Sequence, residues 1–294
     1  MRKIVPHLWY DKEAGEAAEL YVSAFEGSRV LNRAVIEGTP SGDAETIAIE
    51  LAGTEIRMIS AGPYFRFTPA ASFTVNCADA AEVDRLHAAL RPGGADLMEL
   101  GEYPFSPRYA WIEDRYGLSW QLSATGPAAP GRKIVPTLMF TGTNAGKAEE
   151  ALRFWSALVP GSSVGTIARW EEGAPYDKPG TVMHAAFELG GIPLAAMDSG
   201  YAHGFGFNEA VSFMLYCEDQ AELDRYWAAL SAVPEAEQCG WLKDRYGLSW
   251  QVVPTAMDAM MSDPDPARRA RVVEAFLHMK KFDLAALERA WRGD

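Results

Sequence analysis

Much is scarce in this 294-residue chain, and each scarcity removes a class of function. No apolar run is long enough to span a bilayer, so no transmembrane helix is expected. Cysteine occurs three times, as Cys77, Cys217 and Cys239, with no C-x-x-C spacing. An odd count without that spacing argues against a disulfide framework and a zinc knuckle, and points to free thiols in a reducing compartment. Basic residues number 27 against 40 acidic ones, giving a net charge of -13. Nucleic acid and anionic membranes need clustered Lys and Arg to neutralise phosphate, so neither is an expected partner. The N-terminus, MRKIVPHLWYDKEAGE, turns acidic too early for a secretory signal. A cytoplasmic location is the expectation.

What the chain does have is itself, twice. KIVP at Lys3–Pro6 returns at Lys133–Pro136, and DRYGLSWQ at Asp114–Gln121 returns letter for letter at Asp244–Gln251. Between these points SFTVNCADAAEVDRLHAAL, from Ser72, matches SFMLYCEDQAELDRYWAAL, from Ser212, at a longer offset. The second repeat therefore gains residues around GAPYDKPG, and the first carries an extra segment within GADLMELGEYPFSPRYAW. The expected division is a first domain over 1–125, a small-residue linker over 126–131, a second domain over 132–255 and a helical tail over 256–294. With 48% hydrophobic residues, two such domains can each bury a core.

Hydrophobic periodicity fills in the repeats. Ile4–Trp9 reads as a strand, and Ala17, Ala18, Tyr21, Ala24 and Phe25 mark one face of a helix. Ala148, Ala151, Leu152 and Trp155 mark its counterpart. TIAIELAGTEIRMIS and VMHAAFELGGIPLAAM alternate about central glycines, the pattern of hairpins. SFTVNC then restarts the series as a strand, followed by a helix with Asp79 as N-cap and Val83, Leu86 and Leu90 inward. DLMEL, YAWIED and LSWQL are further strands. Each repeat thus reads β-α-β-β-β twice, and four such modules give an α+β protein of cupped mixed sheets. In DRYGLSWQ, Asp-Arg-Tyr-Gly reads as a turn. Alternation in the strand after it sends Trp120 to one face and Gln121 to the other.

These residues resemble the vicinal oxygen chelate superfamily, the glyoxalase, bleomycin-resistance and extradiol-dioxygenase group. More narrowly the chain resembles its PhnB-like branch, also described as 3-demethylubiquinone-9 3-methyltransferase. The resemblance is carried by KIVPHLWYDKEAGEAAELYVSAF, MDSGYAHGFGFNEAVSFMLYCEDQAELDRYWAAL, QCGWLKDRYGLSWQVVP and the tail from Asp263. It implies a divalent metal held by His, Glu, His and Glu from the first, fourth, fifth and eighth strands. Carried over, the eighth-strand glutamate falls on Gln121 and Gln251, and the fifth-strand histidine on Ser72 and Ser212. The first-strand histidine falls near His7 and near Thr137. The fourth-strand position lies around Arg57–Met58 and around Ala196–Asp198, where Asp198 alone could serve. A catalytic metal wants about three good ligands, so the expectation is no metal and no other cofactor.

Cups without those ligands suit a flat or apolar small molecule held by stacking and a few hydrogen bonds. The candidate residues are His7, Trp9, Ser72, Trp111 and Gln121 in the first repeat, with YPFSPR as a rim or lid. In the second they are Met139, Asp198, Ser212, Trp241 and Gln251. Each of these also reads as core packing. The leading expectation is a metal-free small-molecule binding protein, in which the two repeats form an internal pseudo-dimer and whole chains can pair further. The alternative is a metal-dependent lyase, isomerase or dioxygenase of the same fold. A methyltransferase would need a site for its donor. The nearest Gly-rich stretch, Gly142–Glu149, is one residue short of a phosphate loop and has Ala148 where Ser or Thr should follow the lysine. In the tail, Asp265, Pro266 and Asp283 mark helix starts, and the segment reads as a clasp on a sheet or domain edge, with a partner-binding helix as the second reading.

Overall fold

Two-residue turns organise the first half of each repeat. Ala52-Gly53 and Gly190-Gly191 have positive φ, as the tightest hairpins require. They join β3 (Gly42–Leu51) to β4 (Thr54–Ser60), and β11 (Val182–Leu189) to β12 (Ile192–Asp198). The computed structural model describes residues 2–128 and 131–294. Positions 129 and 130 of the expected linker lie outside the described residues. The first repeat opens with β1 (Ile4–Tyr10), α1 (Ala14–Ala24) and β2 (Arg29–Thr39) ahead of β3 and β4. It continues with β5 (Ala71–Cys77), α2 (Ala80–Leu90), β6 (Ala95–Tyr103), β7 (Ser106–Glu113) and β8 (Ser119–Ala124). The second repeat supplies β9 (Ile134–Phe140), α3 (Ala148–Leu158) and β10 (Ser163–Arg169) ahead of β11 and β12. Its last module is β13 (Val211–Cys217), α4 (Gln220–Leu230), β14 (Trp241–Lys243) and β15 (Ser249–Pro254).

This last module departs from the expected pattern. It has two strands after its helix, and a 3-10 turn at Pro234–Ala236 stands where the matching module has β6. The second repeat is shorter here, and proline has no amide to add to a ladder. The tail forms α5 (Ala256–Met261), α6 (Pro266–Leu277) and α7 (Leu284–Arg292). Asp265 and Asp283 accept from the amides of Ala267 and Ala286 as N-caps. The short α5 falls within the expected helical tail, although it carried no periodic signal of its own.

The sheets are not built repeat by repeat. Sheet A has the order β14-β15-β13-β1-β4-β3-β2, and sheet B the order β10-β11-β12-β9-β5-β8-β7-β6. Each sheet therefore joins one module of the first repeat to one module of the second, through antiparallel β1–β13 and β5–β9 pairs. The two repeats form paired sheets as an internal pseudo-dimer. The helices of one repeat meet on the convex side, where α1 packs on α2. There Trp120 lies fully buried against Tyr21, Phe25 and Phe73.

The identical octapeptide earns its identity on this convex side. Asp114 accepts from the amides of Tyr116 and Leu118, from Trp120 Nε1 at 2.9 Å and from the Tyr21 hydroxyl at 2.6 Å. Asp244 accepts from Tyr246, Leu248, Trp250 Nε1 at 3.0 Å and Trp155 Nε1 at 2.9 Å. One buried carboxylate thus closes the turn, anchors the strand tryptophan and ties it to the helix of the neighbouring module. Burial pushes both carboxyls up, against the pull of four donors each. No helix among the described residues is long and apolar enough to cross a membrane.

Candidate functional site

Strand alternation assigns the concave faces. In β1, Leu8 and Tyr10 face the helices, the Tyr10 hydroxyl lying 3.2 Å from that of Tyr21. His7 and Trp9 therefore face the hollow of sheet A. Register then brings Arg57 and Ser212 level with His7, and Gln251 beside Met214 on the same face. In sheet B, Thr137 sits level with Ser72 and with Ala195, and Gln121 beside Thr74.

Each hollow, here cup A and cup B, draws its residues from both repeats. His7 and Trp9 lie with Ser212, Trp241 and Gln251. Ser72, Trp111 and Gln121 lie with Met139. The grouping by repeat expected from the sequence is corrected accordingly, and its cause is the exchange of modules between sheets. Asp198 is the second correction. It faces α3, not the cup. Its Oδ1 accepts from the amides of Gly146 and Ala148, at 2.7 and 3.1 Å, and its Oδ2 from Val182. The helix start that could have cradled a phosphate is thereby filled by the protein's own carboxylate.

Cup B is satisfied from within. The Tyr109 hydroxyl donates to Gln121 Oε1 at 2.9 Å, and Gln121 Nε2 donates to Ser72 Oγ at 2.8 Å. Trp111 Nε1 donates to Ser119 Oγ at 2.7 Å. Thr74 and Thr137 pair at 2.7 Å through their hydroxyls, and Ser123 donates to Ser106. The expected rim segment forms the β6–β7 hairpin, whose Tyr103 and Phe105 pack around Tyr109. Tyr109 was not foreseen. Its only sequence signal was its place in the segment that the first repeat has in excess.

Cup A keeps the glutamine–serine pair, Gln251 Nε2 donating to Ser212 Oγ at 3.0 Å. Cys239 stands where cup B has Tyr109, so no donor among the described residues reaches Gln251 Oε1. Ser212 Oγ lies 3.4 Å from His7 Nδ1, a long contact. Ser249, the counterpart of Ser119, is 0% exposed and its hydroxyl has no partner among the described residues. Trp241 has turned away from it, edge-on to His7 at 5.4 Å and to Trp9 at 5.9 Å between ring centres. Trp9 donates to the Gly62 carbonyl and packs on Phe65. Burial, with the nearby Arg57 guanidinium, pushes His7 down to about 3, so its imidazole is neutral at pH 7. The remaining histidines lie outside both hollows or at their margin: His87 pairs with Asp96, His203 contacts Ser199, and His184 and His278 are exposed.

The four positions at which the superfamily holds its metal can now be filled. They are His7, Arg57, Ser212 and Gln251 in cup A, and Thr137, Ala195, Ser72 and Gln121 in cup B. Neither set fits a divalent cation. There is one imidazole and no carboxylate, and in cup A a guanidinium occupies the fourth-strand position. No group of three or more His, Cys, Asp or Glu residues gathers among the described residues. A surface cleft of about 420 Å³, lined by Asp11, Lys12, Asp43 and Glu45, lies outside both cups.

Comparison with known proteins agrees with this architecture. A model of the family described as 3-demethylubiquinone-9 3-methyltransferase matches residues 2–123 and again 132–253. No curated protein matches the chain. Among solved structures, the PhnB protein of Bacillus cereus is 34% identical over 42% of this chain and 100% of its own, with a TM-score of 0.40. Protein PA1353 of Pseudomonas aeruginosa is 22% identical over 40% of this chain and 93% of its own, with a TM-score of 0.36. Glyoxalase I of Zea mays is 12% identical, covers 84% of this chain and 92% of its own, and has a TM-score of 0.54. That last likeness is one of fold.

Proposed function

The chain belongs to the 3-demethylubiquinone-9 3-methyltransferase family, the PhnB-like branch of the glyoxalase fold, and we propose that it binds an apolar or aromatic small molecule in cup A without a metal ion. The observation that carries this reading is the polar set of cup A. An amide oxygen and a fully buried hydroxyl lack protein partners, and a neutral imidazole has only a long contact to Ser212, beside two tryptophans, whereas the same positions in cup B are each hydrogen-bonded within the protein. Unpaired buried polar groups cost about 1–3 kcal/mol each, and a ligand that pairs them recovers that cost. Trp9, Trp241 and Phe65 supply the stacking surface. Cup B serves in this reading as scaffold. The division into domains over 1–125 and 132–255, and a cytoplasmic setting in which Cys77, Cys217 and Cys239 stay free thiols, belong to the same proposal.

Methyl transfer is disfavoured because Asp198 fills the one helix start with a Gly-rich approach. Elemental analysis of protein purified without chelator, with a thermal shift on adding zinc, nickel, iron(II) or manganese, tests the metal-free reading. No bound metal and no stabilisation are expected. Stoichiometric metal that raises the melting temperature would instead favour a metal-dependent lyase, isomerase or dioxygenase. An aromatic ligand present at 100 times its Kd should stabilise by about 2.7 kcal/mol.

A further inference from the structure

Cup A differs from cup B in one more respect: the chain's own C-terminal segment crosses its open side. α5 follows β15 directly and lays the Asp258 carboxylate on Arg57, Oδ2 lying 3.0 Å from Nη2. The Tyr216 hydroxyl donates to the same oxygen at 3.5 Å. Met257 and Met260 of α5 are buried. α6 touches β2, one edge of sheet A. Its last carbonyl, on Leu277, accepts from the side chain of Gln238 beside β14, the other edge, at 2.9 Å. The amides of Cys239 and Gly240 then donate to the carbonyls of Met279 and Lys280. Gly240 permits this closeness, since a Cβ there would meet the Phe282 ring at 2.4 Å. A helix held at both edges of a curled sheet bridges its mouth.

Arg57 stands level with His7 and Ser212, in the middle of the cup. Its guanidinium is shared by Glu55, at 2.9 Å, and by Asp258. Glu55 is fixed on the same strand. Asp258 arrives from outside the sheet, on a six-residue helix. We propose that Asp258 is an internal stand-in for the acid group of the ligand, so that cup A takes an aromatic carboxylate. The ligand's carboxylate replaces Asp258 on Arg57 and Tyr216, its ring packs on Trp9 and Trp241, and α5 lifts. The charge around Arg57 is the same before and after the exchange, so no charge is left buried and unpaired. This inference rests on the reading of cup A as the ligand site. An intramolecular carboxylate competes at a high effective concentration, so the strap holds affinity down in the resting protein.

The test uses the full chain and two probes, 2-naphthoate and its uncharged analogue 2-naphthamide, titrated calorimetrically. Asp258→Asn is expected to bind 2-naphthoate about tenfold more tightly than the wild type, one charge-assisted contact being relieved of its competitor. Binding of 2-naphthamide should be unchanged. Adding Arg57→Gln to Asp258→Asn should remove the gain. In the wild type, saturating 2-naphthoate should speed amide exchange across 256–261, a readout that needs no variant to fold. Equal gains for both probes, no gain for 2-naphthoate, or unchanged exchange would overturn the inference. In those cases 2-naphthamide still binds and the ligand site stands. Failure of both probes to bind any variant would overturn the ligand site as well.

Discussion

Cup A and cup B are built from corresponding strands in the same central register, cup A lacking only the counterpart of β6, and they differ in how far their polar groups are satisfied. In cup B, Tyr109 and Trp111 donate to Gln121 and Ser119, and the hollow closes on itself. In cup A, Cys239 and a turned Trp241 leave Gln251 Oε1 and Ser249 Oγ without those donors. On the convex side the two halves remain alike, down to the four donors on Asp114 and on Asp244. Side chains that hold the modules together match between the halves, while those that face the hollows have parted. The difference teaches that a duplicated site can keep its scaffold chemistry in one copy and leave its bonding capacity open in the other.

The largest expected effect probes where the halves agree. Asp114→Ala and Asp244→Ala should each cost about 4 kcal/mol in urea unfolding, since each strands four donors in the core. Markedly unequal losses would break the symmetry claimed for the convex side. The second effect is confined to cup A. With His7 held near 3 in the folded state and near 6.5 when unfolded, the unfolded chain binds the extra proton between those values. Stability is then fully present above pH 6.5 and falls as the pH drops towards 3, by at most about 1.4 kcal/mol per unit from this group. His7→Gln should flatten the profile by that increment. Thr137, the cup B counterpart, cannot titrate, so Thr137→Val should leave the slope unchanged.

Smaller effects sharpen the contrast. Ser119→Ala should cost about 1–2 kcal/mol by orphaning Trp111 Nε1, whereas Ser249→Ala, which removes a hydroxyl that already lacks a partner, should be neutral or slightly stabilising. A clear loss at Ser249 would mean that its hydroxyl is paired in solution. Tyr109→Phe should cost about 1 kcal/mol and leave Gln121 in the condition of Gln251.

Much of this was legible in the sequence. The repeats announced themselves through KIVP and DRYGLSWQ, and period-two alternation about Gly53 and Gly190-Gly191 located hairpins, because both signals are local. The same alternation placed Gln121 and Trp120 on opposite faces but left open which of them turned inward. The exchange of modules was not legible: antiparallel pairing of β1 with β13 is a contact between distant strands, and nothing in either strand names its partner. Asp198 was misplaced for a related reason. One residue of register decides which face of β12 it occupies, and the family pattern left that residue open. Asp258 carried no signal, since a lone acid in a short helix has no periodic context.

The account turns on cup A being the ligand site and cup B its scaffold. The direct measurement is fluorine NMR of protein carrying 5-fluorotryptophan, with Trp9, Trp241 and Trp111 assigned by substitution, during titration with 2-naphthoate. The account predicts that the Trp9 and Trp241 signals shift together while that of Trp111 stays in place. Movement of Trp111, with Trp9 and Trp241 unmoved, would contradict it and assign binding to the other cup.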